Sequence, residues 1–370
     1  MLDDGTAGPF NWTTRMSAWQ YRSLNVAQEW LVLPMSNERE KNRIDKIRDG
    51  ALSMQVGDEK DGTISQMISV ADADMYIVKM HAIYRVFLAD EIDPERTNSS
   101  IPNGHQRIVG QGAASEIVAR SFLTANVLFN SNQFDGDVDL KRVMDLSIIV
   151  MKELLEAQKI ERELIDEQNK ALAAFQQPKQ RSVALPSVEG LNERLKTFVQ
   201  KVEHAAQAIF GFTQQFYGHT EKMWNGFELE VQKLYGDADE FSKFAGSILP
   251  FMLFIRNLRN SIEHPKPAQR VIIKDFAITP DGALTSPSLE LVHDKTPQPK
   301  MDVPSLLQQV SGQVLEIFEV LMVHLASKHI KPFGAFEKSV GLLPLDQLRP
   351  DSKVRASYFI RHSNNWAKLG

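Results

Sequence analysis

The run Phe251-Met252-Leu253-Phe254-Ile255-Arg256-Asn257-Leu258-Arg259-Asn260-Ser261-Ile262-Glu263-His264-Pro265 places arginine, asparagine, glutamate and histidine close behind an apolar stretch. Wound as a helix at about 100° per residue, Ile248, Phe251, Ile255, Leu258 and Ile262 share one face. Arg256, Arg259, Asn260, Glu263 and His264 then occupy the adjoining arc. Arg259 and Glu263 lie four residues apart and can pair, and Asn260 and His264 have the same spacing and can hydrogen-bond or share a ligand. Pro265 pushes its predecessor out of the α region, which puts His264 at the C-terminal end of the helix.

These residue types suit scission of RNA by transphosphorylation, in which the ribose 2′-hydroxyl attacks the adjacent phosphate and the 5′-oxygen leaves. Histidine is the side chain that gives and takes protons near neutral pH. Negative charge grows on the phosphoryl oxygens, and the forked donors of Arg259 are the matching stabiliser. Asn260 can orient the imidazole or bind phosphate, and Arg256 and Lys266 are further candidate RNA contacts. A single histidine cannot be base and acid at once, so a symmetric dimer that brings two copies of the helix together is the economical solution.

Arg259-Asn260-x3-His264 resembles the Arg-x(4 to 6)-His motif, with a polar residue after the arginine, of the HEPN (higher eukaryotes and prokaryotes nucleotide-binding) superfamily. The resemblance covers roughly residues 187–326. It implies a four-helix bundle, homodimerisation and, with the motif intact, metal-independent endoribonuclease activity in toxin–antitoxin, CRISPR-associated or other anti-phage systems. The family's catalytic arginine, polar residue and histidine fall on Arg259, Asn260 and His264. No metal or cofactor is implied. RNA and an antitoxin or defence-system protein are the implied partners. The competing expectation is a non-catalytic dimeric scaffold of the same fold that binds a nucleotide or a partner protein.

The elements that must hold these residues are mostly helical in pattern, so the expected fold class is mainly α. A periodic helix carries Leu191, Leu195, Phe198, Val202, Ala205, Ile209 and Phe212 on one face. A second runs near 223–234, and a third from about Asp239 to Glu263 with a kink or restart at Pro250. Val271-Ile272-Ile273, Phe276-Ala277-Ile278, Pro280-Asp281-Gly282 and Leu289-Glu290-Leu291-Val292 then read as a small β-hairpin. A last helix, capped by Asp302 with Pro304 in its first turn, turns Leu307, Val310, Val314, Ile317, Leu321 and Leu325 inward.

Ahead of this HEPN-like bundle, placed at residues 187–330, residues 14–172 read almost entirely as helix, with Ile64, Ile68, Val78, Ile83, Val86 and Phe87 marking the spacing. They form an expected helical domain over 1–175 with a regulatory or substrate-selecting role. Breakers between Asp90 and Gly112 mark a long loop, and a charged helix spans about 138–170. The segment from Gln176 to Ser187, which contains two prolines, is the expected linker. Residues 331–370 form a basic and aromatic C-terminal tail with Arg349, Lys353, Arg355, Tyr358, Phe359, Arg361, Trp366 and Lys368.

The 370 residues include 43% hydrophobic and 24% charged ones, as in a folded chain, and two domains are the natural expectation. The net charge of −5 makes any RNA contact local rather than global. The absence of cysteine removes disulfides and thiolate metal sites. No long uninterrupted apolar run and an acidic start make a cytoplasmic, membrane-free location the expectation. Asp72, Asp74, His81, Asp90 and Asp93 lack a compact ligand spacing and read as solvated faces. Gly110-x-Gly112 reads as a loop, and His204, His219 and His324 as structural.

Overall fold

In a computed structural model, 51% of the chain is helical and 21% is strand, in four sheets. The protein is therefore mixed α/β rather than mainly α. The structure describes residues 43–49, 55–70, 74–134, 138–175, 182–218, 223–332 and, with short breaks, 334–369. The part of the expected N-terminal helical run that precedes residue 43 lies outside them.

After a short helix α1 (Arg43–Asp49) the chain forms a four-stranded antiparallel sheet in the order β1 (Ile64–Val70), β2 (Asp74–Lys79), β3 (Ile83–Phe87), β4 (Gly104–Val109), with a helical turn α2 (Ala89–Ile92) between the last two. Ile64, Ile68, Val78, Ile83, Val86 and Phe87 thus belong to strands, and the expected 90–112 loop contains β4. The central strands β2 and β3 are mostly buried on both faces, whereas the edge strands β1 and β4 are largely exposed. Ile68, Val70, Tyr76, Val78 and Ile83 join the main core, while Ile77, Tyr84 and Val86 cluster with Val56. Apolar residues needed on both sides erase the alternation that marks a strand and leave chance recurrences every three or four positions. The signal that survives is the β-branched and aromatic content of β2 and β3.

Gly112 has a packing reason. A Cβ there would lie 2.0 Å from the Lys79 carbonyl, which accepts from the amide of Ala113 at 2.9 Å. The loop reading of Gly110-x-Gly112 agrees with this. Two short helices, α3 (Glu116–Val118) and α4 (Thr124–Leu128), flank a π-helical turn over Ala119–Leu123.

The remaining helices form the bundle. α5 (Leu140–Ala174) is capped by Asp139, whose carboxylate accepts from the Arg142 amide, and packs along α6 (Leu191–Thr213). α7 (Trp224–Tyr235) packs on α8 (Glu240–Glu263), and α8 on α6. Asp239 caps α8 through the Phe241 amide at 2.9 Å, and the helix runs unbroken through the exposed Pro250 rather than restarting there. Between α8 and α9 (Val303–His329) lies a three-stranded sheet, β5 (Gln269–Lys274), β8 (Ser288–His293) and β9 (Gln298–Asp302), with a small ladder of β6 (Ala277–Ile278) and β7 (Leu284–Thr285) at its far end. The hairpin was legible; its third strand was not. Asp302 caps α9 through the Ser305 amide. α9 is long and apolar enough to cross a membrane, but more than half of that stretch is buried here against the other bundle elements. The basic and aromatic tail forms the fourth sheet, of β10 (Lys338–Leu342), β11 (Ala356–His362) and β12 (Asn365–Leu369), in which Tyr358 is buried and donates to the Leu128 carbonyl.

His324 shows how the core treats a polar ring. It stacks on Phe241 at 5.1 Å and lies 4.9 Å from Phe244. Burial pushes its pKa down to about 4, with Asp239 and Glu240 opposing and Lys328 assisting. A depressed histidine pKa means that the unfolded chain binds the proton first as pH falls. Its contribution is fully present above the unfolded value of 6.5 and is lost as pH drops toward 4. The unfolding free energy measured in urea should therefore fall over that window by up to about 3 kcal/mol, and His324→Phe should flatten the slope there. An unchanged slope in that variant would assign the pH dependence elsewhere.

Candidate active site

The last two turns of α8 carry the polar residues and leave the apolar ones inward. Ile248, Ile255 and Leu258 are buried, and Phe251 and Ile262 pack against the core. Pro265 lacks the amide that would continue the helix, and His264 leaves it with φ −132° and ψ 63° while its own amide still donates to the Asn260 carbonyl at 2.8 Å. The imidazole is 71% exposed.

Arg259 is only 36% exposed and is oriented from two sides. Its Nη2 contacts Glu263 Oε2 at 2.6 Å, and its Nη1 donates to Asn260 Oδ1 at 3.2 Å. Glu263 is fixed in turn by α6, since the Gln200 Nε2 amide donates to its Oε1 at 2.6 Å. That hydrogen bond, with the charge of Arg259 adding to it, holds Glu263 below the usual carboxylate range against the opposing effect of burial. The expected Arg259–Glu263 pair is therefore present. Asn260 and His264 are joined through the backbone alone, with the Asn260 side chain turned to Arg259 instead. His264 Nε2 lies 4.0 Å from Glu263 Oε2.

Arg256 and Lys266 are exposed, and neither has an ion pair among the described residues. The Lys266 backbone closes a tight turn with Gln269, its amide donating to the Gln269 carbonyl at 2.7 Å. Beside this turn a groove of about 590 Å³ is bounded by Asn192, Glu193 and Lys196 of α6, Ile262 and Pro265, and Val271 to Ile273 of β5. His293 lies opposite Gln269 in the β5–β8 register and was not singled out by sequence. No local spacing points to it, because strand pairing alone brings it here.

No protein family, curated protein or solved structure matches this chain. What can be said of chemistry rests on the side chains themselves. Among the described residues no three His, Asp or Glu side chains gather as a metal site. Asp90 and Asp93 are engaged by Arg48, each at 2.6 Å, and Asp74 pairs with Arg85 at 2.6 Å. Two backbone amides, of Asn98 and Thr97, are the main reason Asp93 is held at about 2. Asp72 and His219 lie outside the described residues, and His204 sits 3.8 Å from Glu153 on a helix surface.

Proposed function

We propose that this protein is a metal-independent endoribonuclease whose reaction centre is Arg259, Asn260 and His264, acting in the cell as a toxin or anti-phage effector. What supports the reading is the arrangement at the end of α8. An exposed imidazole follows, five residues along the chain, a guanidinium that is held in place by Glu263 and Asn260, and Glu263 is anchored by Gln200. Arg259 meets the phosphoryl charge that grows as the 2′-oxygen attacks, and a positioned fork loses little freedom in doing so. His264 takes the 2′-hydroxyl proton or supplies one to the departing 5′-oxygen. In the proposal a second copy, related by two-fold symmetry through the C-terminal bundle, provides the complementary role. Arg256 and Lys266 contact phosphates on either side.

The end groups of the products test this. Cleavage of RNA should persist in EDTA and leave a 2′,3′-cyclic phosphate and a 5′-hydroxyl, and a 2′-deoxyribose at the scissile position should block cutting there. Activated-water chemistry on metal ions leaves a 5′-phosphate instead. Cleavage lost in EDTA, restored by magnesium and ending in 5′-phosphate would overturn the mechanism. A folded protein that binds RNA and never cuts it would favour the scaffold.

A further inference from the structure

The stripe of α8 that leads to His264 begins earlier than the motif. Asn257 precedes Asn260 by three residues and His264 by seven, so the three lie along one side of the helix, and Asn260 joins this stripe to Arg259, whose Nη1 donates to its Oδ1 at 3.2 Å. Asn257 is committed outward. Its Nδ2 donates to Thr296 Oγ1 at 3.1 Å, tying the β8–β9 turn to the same stripe. That turn is built around His293. The backbone amides of Lys295 and Thr296 reach His293 Nδ1 at 3.1 and 3.2 Å, and the Thr296 hydroxyl lies 3.4 Å from the same nitrogen.

Backbone amides can only donate, so Nδ1 must accept, and the uncharged ring keeps its proton on Nε2. Nε2–H has no hydrogen-bond partner among the described residues, although the ring is half-buried. His264 differs: among the described residues its imidazole approaches only Glu263, at 4.0 Å, and neither nitrogen is fixed by a backbone donor. Neither nitrogen of the one ring is held by a backbone donor, and the other ring is held in a single tautomer that presents a donor.

We propose that His293 is a further RNA-contacting residue of this site, donating its Nε2–H to a non-bridging phosphoryl oxygen at the scissile phosphate, with Thr296 and Asn257 as its positioning residues. It transfers no proton. It lowers the barrier because the hydrogen bond strengthens as charge gathers on that oxygen, and a donor fixed beforehand needs no reorganisation. The inference rests on the reading of Arg259, Asn260 and His264 as an RNA phosphate site.

A turn-capping histidine with no other role would share this geometry, and His293→Asn separates the two. Asparagine keeps an acceptor where Nδ1 stands, so the turn survives, but it cannot reach as Nε2–H does. The variant should melt with the wild type and cleave RNA on the order of 10²- to 10³-fold more slowly at saturating substrate. The pH–rate profile should keep its shape, because His293 transfers no proton. Cleavage by a folded His293→Asn protein at the wild-type rate would overturn the assignment. A second measurement is independent of turnover. With ¹⁵N-histidine-labelled full-length protein, a 2′-O-methyl RNA oligonucleotide should move the side-chain signals of His264 and His293 together, each assigned by its loss in the corresponding variant. If the protein binds this RNA without ever cutting the unmodified one, joint movement upholds the contact while the nuclease reading fails. A shift of His264 alone, or of neither, overturns the contact.

Discussion

His264→Ala and Arg259→Ala should each abolish RNA cleavage, and with it any growth arrest on expression, while leaving the protein folded. Both side chains lie off the buried face of α8, so neither truncation opens a cavity in the core. General acid–base groups contribute on the order of 10²- to 10⁴-fold, and the loss for His264 should fall in that range. The loss for Arg259 should be comparable, because its fork is placed before substrate arrives. Arg259→Lys should rescue little, since a single ammonium cannot reach Glu263 and Asn260 together and still offer two donors to phosphate. Circular dichroism and urea unfolding establish that each variant is folded. A folded His264→Ala protein that cuts at the wild-type rate would remove the catalytic assignment, and one that also stays toxic would remove the cellular role.

The parts of this site that were legible in the sequence are those fixed by neighbours in the chain. Pro265 decides where α8 ends, Asp239 and Asp302 decide where α8 and α9 begin, and the four-residue spacing decides that Arg259 meets Glu263. The parts that were not legible depend on distant partners. Gln200 reaches Glu263 from another helix, and His293 arrives because Gln269 pairs with it across a sheet. The same division explains the N-terminal region. Tyr76 and Val78 face the bundle while Ile77 faces a separate cluster around Val56, so β2 is apolar on both sides and carries no period of two. Lys79 ends that strand as a buried residue, its ammonium donating to the carbonyls of Val56 and Asp58 at 3.2 and 2.7 Å. A charged residue in an apolar run reads from sequence as the exposed face of a helix. Only the fold supplies the carbonyls that make its burial tolerable.

Glu319→Ala should cause a loss of stability far larger than its place in the middle of an apolar helix suggests. Its carboxylate is 0% exposed and faces two arginines from opposite ends of the chain. Arg120, from the π-helical turn, donates Nε to it at 2.8 Å across 199 residues of sequence, and Arg355, at the entrance to β11, donates Nε at 2.9 Å and a second nitrogen besides. The hydrogen bond and charge of Glu319 raise Arg355 above its ordinary value despite burial. Removing the carboxylate leaves two guanidinium groups facing each other without an anion between them. Arg120 keeps its exposed partner Glu116 at 2.8 Å, whereas Arg355 has no second ion pair among the described residues and is the more damaged of the two. Breaking a buried pair in this way costs on the order of 3–5 kcal/mol, a large share of the roughly 5–15 kcal/mol that holds a typical domain folded. The loss should be nearly independent of salt, because little solvent reaches the group. Replacing all three residues with apolar ones of similar volume should recover much of it, since the penalty of Glu319→Ala is mainly that of the stranded charges. Urea unfolding of the single and triple variants measures both effects. A Glu319→Ala protein within about 1 kcal/mol of the wild type would show that water reaches the arginines and that α9 does not depend on this carboxylate to hold the π-helical turn and the C-terminal sheet.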